Sequence, residues 1–520
     1  VPSADGVNNG VVFLTNDSAR FGTTANWNGG AFTNPGVPAP VLRTSASWPF
    51  AWRISAANIE ASGNASFVFR LNSYRSPVSR VALWVSSVHR PDPTRIHVEA
   101  NDPTLTSSAG LVGWACFLRR AGVDEHLTRL FRRLKGGPTM VYPLPAQLRL
   151  LMDLAVLGHD RIFDLEALAA DPLLEFLAGG YVPSIDTLYD DLRRFDDKAL
   201  RDLDAMVSEH GLAPLRSLKP TTIHLDIDTT VEVVFGTQIE GAVPGPNPRY
   251  KGRPSYHPIL ATIAETGTLA GVELRPGNTA FGDDDVTIVK RWVQRVRLAV
   301  GPQCVIVVRI DAAGDCTALL KALQELGVHY VIKARMDARV ASAIQAHRDW
   351  TSVDHDADGR AIRQVAEIDV QRVVWRDAGI TPRVLAAREW DRESGGTKAL
   401  WPALDWSAWA VLTNAAGDDV DTLIREYNGR AEVEPMIADL KDAWGIGKIP
   451  TNDFSANHAM LLLKALTFNL LARYVAAKCP AARHWRTPWV RHAVMRVAGR
   501  LVRSGRSRTL RVPPHARYLN

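Results

Sequence analysis

Apolar and polar positions change their period several times along this chain. "TTIHLDIDTTVEVVFG" (221–236) alternates and is β-branched, which predicts a strand with Ile223, Leu225 and Ile227 on one face and His224, Asp226 and Asp228 on the other. "HPILATIAETGTLAGVELRPG" (257–277) predicts two strands around Thr266-Gly267. "DDDVTIVKRWVQRVRLAV" (283–300) then switches to helical spacing, with an acidic start that complements the helix dipole. "QCVIVVRIDAAG" (303–314) predicts a buried strand ending in Asp311, "CTALLKALQELG" (316–327) a helix and "VHYVIKAR" (328–335) another strand. Three meander-like strands followed by alternating helix and strand predict a mixed α/β sheet.

Beyond it, "RQVAEIDVQRVVWR" (363–376), "PRVLAAREWD" (382–391) and "WSAWAVLTN" (406–414) predict antiparallel strands, a β insertion within the α/β domain. Residues 103 to about 218 are mostly helical, and "PSIDTLYDDLRRFD" suits either a small helix-turn-helix-like unit or an ordinary helical domain. Residues 1 to about 100 are rich in Ser, Asn, Ala and Gly, with strand potential only in "ASFVFRLNSYRSPVSRVALWV" (65–85).

The stretch "REYNGRAEVEPMIADLKDAWG" (425–445) carries the most chemistry. On one continuous helix, Tyr427, Arg430, Glu434 and Lys441 fall within a stripe roughly 60° wide. Val433, Ile437, Leu440 and Trp444 form an apolar stripe about 80° away. Glu432, Asp439 and Asp442 lie mainly outside both and read as solvated, and Glu426 sits beside the apolar stripe. Pro435 implies either a kink or a new helix with the proline in its first turn.

Composition narrows the class. The chain has 520 residues, 46% of them hydrophobic, enough for two to four domains. The net charge is only +6, but Ala481–Asn520 contains ten arginines and no Asp or Glu. Apolar residues such as Trp485, Trp489 and Val494 interleave with these arginines, the pattern of a nucleic-acid or membrane-surface contact rather than a solvated tail. The four cysteines show no metal-ligand spacing and read as reduced thiols of a cytosolic protein. No signal peptide is visible. The apolar stretch 458–477 carries Lys464 and Arg473 and reads as a packed helix, so no membrane partner is expected. "DHDADG" (354–359) mimics a calcium loop but has Val365 where the bidentate Glu belongs, so it reads as a hairpin turn. "GDDDV" (282–286) reads as a helix cap.

Two aspartates on one face of a central strand are costly unless paired or bound to a cation. Carboxylates beside Arg and Lys suit phosphoryl transfer on DNA, in which divalent cations activate an oxygen nucleophile and stabilise the leaving oxygen.

These residues resemble a known family. Tyr427-x2-Arg430-x3-Glu434-x6-Lys441 is similar to the YREK signature of DDE transposases from bacterial insertion sequences. Asp228, followed by Thr229-Thr230, and Asp311, in "VRIDAAGD", resemble that family's first and second aspartates. "KGRPSYHPILA" (251–261) and "REYNGRAEVE" look most like the insertion sequence thirteen-eighty group, and the resemblance covers about residues 103 to 520.

The resemblance implies a ribonuclease-H-like mixed sheet flanked by helices, interrupted by an antiparallel β insertion, with a helical N-terminal DNA-binding region. It implies Asp228, Asp311 and Glu434 as catalytic metal ligands for two Mg2+ or Mn2+ ions, with Tyr427, Arg430 and Lys441 gripping DNA phosphates. It implies cut-and-paste transposition by a homodimer in a synaptic complex on double-stranded DNA, both inverted-repeat ends and target, in the bacterial cytoplasm at the nucleoid. A tryptophan that stacks a flipped base is a further implication, with Trp390, Trp401, Trp406 and Trp409 as candidates.

The expected organisation is 1–102 a poorly ordered or artefactual extension, 103–220 a helical DNA-binding region, 221–335 and 420–480 the two parts of the catalytic core, 336–419 the β insertion, and 481–520 a basic tail. The alternatives are a transposon-derived DNA-binding protein without catalysis, and a structure-specific repair nuclease on the same core.

Overall fold

A computed structural model of the chain describes residue 97 and residues 99–236, 238–245, 250–390, 406–505, 507–514 and 516, together with short backbone strands between Asn26 and Trp84. The chain divides into two compact units, Val1–Asn101 and Asp102–Asn520. In the first, Arg53–Ala57, Ser66–Asn72 and Arg80–Trp84 form a three-stranded antiparallel sheet. The expected poor order of 1–102 falls otherwise outside the described residues.

The second unit is built on a nine-stranded sheet. Its strands are β1 (Thr222–Thr229), β2 (Ile259–Ile263), β3 (Thr268–Glu273), β4 (Val305–Ile310), β5 (His329–Lys333), β6 (Thr351–His355), β7 (Ala361–Ile368), β8 (Arg383–Trp390) and β9 (Trp406–Thr413). Their spatial order is β3-β2-β1-β4-β5-β9-β8-β7-β6. β1, β4 and β5 are parallel, and all other neighbours are antiparallel.

The three strands expected to form an insertion, joined by β6, therefore extend the core sheet itself, because Val331 of β5 pairs with Thr413 of β9. Two local readings change as well. Val373–Ala378 is a short helix where a strand is expected to continue, and Ala338–Ala346 is a helix. The "DHDADG" segment is a hairpin turn between β6 and β7, in which the Asp356 carboxylate accepts from the Asp358 and Arg360 amides.

Helices cover both faces of the sheet. Asp283–Val300 and Thr317–Glu325 pack on the face that carries Ile223, Leu225 and Ile227. Val420–Asn428 lies on the opposite face, where Leu423 and Ile424 meet Val307, Val331, Leu385 and Val411.

The helical region is not a separate module. Asp197–Leu218 packs with the 25-residue helix Phe454–Lys478 over β3, and one core joins Leu111 through Val207 to Leu440 through Met495. Arg193 and Arg194 lie just past the end of the Ile185–Leu192 helix, and Arg194 pairs with Asp191. Phe454–Lys478 is long and apolar enough to cross a membrane by composition, but it is mostly buried inside this unit.

The segment expected to be a basic tail is folded. Thr487–Val490 is helical, and Gly499–Ser504 pairs with Ser507–Arg511 as a hairpin. Its Arg491 and Arg496 are tied to the C-terminal end of helix Leu144–Leu157, where the last carbonyls run out of intrahelical amides. The buried Arg491 donates from Nε to the Val156 carbonyl (3.1 Å) and from Nη2 to the Ala155 carbonyl (2.8 Å). Arg496 donates to the Leu157 carbonyl at 2.6 Å. Cations at that end also complement the helix dipole.

Candidate functional site

β1 presents three polar rungs on the face under Val420–Asn428, and each has a partner. His224 bonds through Nδ1 to Glu265 (2.7 Å) and through Nε2 to Glu426 (3.0 Å). These carboxylates hold its imidazolium, raising the His224 pKa to about 9. Asp226 is buried and is gripped at both oxygens by Arg309, at 2.5 and 2.8 Å. Arg309 stands directly opposite Asp226 in the β1–β4 register. Its remaining Nη1 donates to the Glu426 carbonyl at 2.7 Å, tying the helix above to the sheet below.

Asp228 forms the third rung, at the C-terminal end of β1. Its Oδ2 lies 2.9 Å from Arg430 Nη2, and its Oδ1 accepts from the Thr229 amide. Ile310 pairs with Ile227 in parallel register, so Asp311, just past β4, and Asp228, the penultimate residue of β1, occupy matching positions. Both aspartates thus stand in the crevice at the carboxyl ends of adjacent parallel strands. Burial raises the Asp228 pKa, Arg430 opposes that rise, and the Asp311 charge adds to it. Asp311 also caps a short turn, accepting from the Ala313 amide at 2.9 Å.

The segment above the crevice is not one helix. Val420–Asn428 ends, Gly429–Glu432 takes tighter 3-10 turns, and Val433–Asp442 begins a new helix with Pro435 in its first turn. Proline cannot donate to Ala431, so the break falls just before it. Gly429 permits close approach to the sheet here, since a Cβ at that position would stand 2.7 Å from Arg309 Nη1.

The continuous stripe read from the sequence is therefore split. Tyr427 and Arg430 stay at the crevice, with the Tyr427 ring 5.7 Å from that of Trp409. Burial raises the Tyr427 pKa, and the charges of Asp311 and Asp228 reinforce the rise. Lys441 goes elsewhere, to Glu232 Oε1 and the Val231 carbonyl, each at 3.2 Å. Burial raises the Glu232 pKa, and Lys441 opposes it. Glu434 is exposed and enters none of these contacts.

Among the described residues, no three Asp, Glu, His or Cys side chains converge to hold a metal ion. Asp228 and Asp311 nonetheless fit a hard cation as two of its ligands. Their hard carboxylate oxygens share one crevice, and the cation now on Asp228 is a guanidinium. The structure does not bring Glu434 into this set; it is exposed, in the first turn of the helix that begins after the break.

Sequence reasoning missed Arg309, Glu265 and Glu232. The signal for Arg309 was a lone cation within the apolar run "VIVVRID". Of the candidate tryptophans, Trp390 packs edge-on against Trp406 at 5.5 Å, and Arg388 lies over Trp406. Trp409 packs beside the crevice, and Trp401 lies outside the described residues.

A large mixed sheet flanked by helices, with two aspartates at the ends of adjacent parallel strands, defines a mixed α/β protein. Residues 89–519 match the family described as Transposase DDE domain group 1. The chain belongs to that family, which implies phosphoryl transfer on DNA. No curated protein matches the chain. A solved structure described as a cryo-EM structure of piggyBac transposase synaptic complex with hairpin DNA is similar over 74% of this chain and 78% of that one, at 12% identity and a TM-score of 0.41.

Proposed function

We propose that this protein is a cut-and-paste DNA transposase that binds the inverted-repeat ends of a bacterial insertion sequence. The carrying observation is the Asp228–Asp311 pair beneath Tyr427 and Arg430. The spacing Tyr427-x2-Arg430-x3-Glu434-x6-Lys441 supports the finer reading of a YREK enzyme like the insertion sequence thirteen-eighty group.

Asp228, Asp311 and, after a turn of the Val433–Asp442 helix, Glu434 would hold Mg2+ or Mn2+. A divalent cation held there activates the attacking oxygen and stabilises the leaving one. Arg430 exchanges its carboxylate for a phosphate, which its planar fork matches equally well. Tyr427, held by Trp409, lines the crevice, and Lys441 neutralises a flanking phosphate as a point charge. Two copies on paired DNA ends, in the cytoplasm, complete the reading.

The full chain with Mn2+ should nick a duplex bearing its own terminal repeat. Asp228→Asn and Glu434→Ala should abolish nicking and keep binding. The exposure of Glu434 favours a second reading, DNA binding without catalysis. Cleavage that survives Glu434→Ala removes that residue from the metal set, and binding without any cleavage selects the second reading.

A further inference from the structure

The arginines of the C-terminal segment divide into two kinds. Arg491 and Arg496 serve the end of helix Leu144–Leu157. Arg500, Arg503, Arg508 and Arg511 instead sit exposed on the Gly499–Ser504/Ser507–Arg511 hairpin, where Arg500 pairs with Arg511 and Arg503 with Arg508.

Like charges directly opposite across two strands oppose folding. A short hairpin with nothing to gain from this pattern would alternate sign or carry neutral residues. Among the described residues, the one carboxylate in ion-pair range of the four is Asp102, 2.8 Å from Arg500. Arg508 is steadied by the Phe176 ring, 3.9 Å from its centroid, and Arg503 by the Gly505 carbonyl.

The hairpin is fixed at its base and open at its tip. Gly499 is buried, Leu510 packs on the main core, and the two-residue strand Leu105–Thr106 pairs only with Gly499 and Arg500. The distal half is a ribbon of two strands, with exposed Ser504, Ser507 and Thr509 beside the arginines.

We propose that this ribbon is a clamp for the phosphate backbone of duplex DNA, separate from the aspartate crevice. It rests on the reading of the protein as a DNA transposase. Arg503 and Arg508 on one face of the ribbon and Arg511 on the other supply charge and paired donors for phosphate oxygens, while Arg500 is already paired with Asp102. A two-stranded ribbon also has the width that a major groove of about 12 Å admits. A membrane surface fits less well, because the apolar residues of the hairpin, Leu501, Val502 and Leu510, are partly buried and leave no apolar face to insert.

The test uses the full chain and a 30-base-pair duplex of arbitrary sequence, titrated by fluorescence anisotropy from 50 to 200 mM salt. A triple Arg503→Gln, Arg508→Gln, Arg511→Gln variant should flatten the slope of log affinity against log salt by roughly 2–3, at about 0.9 for each phosphate no longer neutralised. The corresponding triple lysine variant should keep the slope. An unchanged slope in the glutamine variant overturns the clamp. So does an equal flattening in the lysine variant, which would mark a packing role. So does a glutamine variant that binds phosphatidylserine vesicles more weakly while its DNA slope stands.

Cleavage of terminal-repeat DNA, run alongside, separates the two claims. Intact cleavage with an unchanged slope removes the clamp and leaves the transposase. A flattened slope in a chain that never cleaves keeps the clamp and removes the transposase.

Discussion

Arg430 Nη2 lies 2.9 Å from Asp228 Oδ2, both side chains largely buried, at the point where two strand ends meet a broken helix. Removing the guanidinium leaves a desolvated carboxylate beside Asp311. Arg430→Gln should therefore destabilise the fold by roughly 2–4 kcal/mol, because breaking a buried pair strands its partner. In a double-mutant cycle with Asp228→Asn, urea unfolding should show a coupling of about 1–3 kcal/mol. A coupling near zero would mean the pair contributes nothing to holding the segment down.

His224 links stability to pH through Glu265 and Glu426. Its folded pKa of about 9 lies above the ordinary histidine value of 6.5. A raised histidine pKa contributes stability that is fully present below the unfolded pKa and is lost as pH rises through the folded one. The melting temperature should fall between about pH 6.5 and 9, and His224→Gln should flatten that fall. Arg309 faces the same imidazole and works against its charge, so Arg309→Met is not a substitute test.

The strand alternation was legible because one face of β1 is wholly apolar, and Ile223, Leu225 and Ile227 are all buried as that pattern requires. The polar face was legible only as a need for partners. Which partner each rung takes depends on the register between strands, as with Arg309 opposite Asp226, and register is a long-range property. Pro435 flagged the helix break, but neither the 3-10 turn before it nor the close approach of Gly429 to Arg309 has a local signature. The arginines of the C-terminal block look alike in the sequence for the same reason. Arg491 and Arg496 meet carbonyls more than 300 residues away, and nothing local separates them from the arginines of the ribbon.

Asn469 closes an edge of the sheet. Its side chain accepts from the Leu269 amide (2.8 Å) and donates to the Leu269 and Val207 carbonyls (2.9 Å each). Edge strands expose unpaired backbone groups, and here one buried amide answers them. Asn469→Leu should cost about 2–4 kcal/mol, since it leaves buried backbone donors and acceptors unsatisfied. Gly211 lies against the same carbonyl, where a Cβ would stand 1.9 Å from the Leu269 oxygen. Gly211→Ala should cost roughly 1–3 kcal/mol by forcing helix and strand apart. Urea midpoints within error of the wild-type value would contradict both assignments.

Pro435 should be the residue that keeps the segment broken. Pro435→Ala restores an amide that can reach the Ala431 carbonyl and removes the ring that clashes with it. An α-helix turns about 100° per residue and a 3-10 helix about 120°, so regularising the four residues of Gly429–Glu432 rotates the Val433–Asp442 helix by about 80°. The variant should show slowed hydrogen exchange at the amide gained at position 435 and a weaker coupling between Arg430 and Asp228 in the double-mutant cycle. Cleavage of terminal-repeat DNA should change with it, because Glu434 moves relative to the two aspartates. An unprotected amide together with an unchanged coupling would show that Gly429 and Arg309 hold the break without the proline.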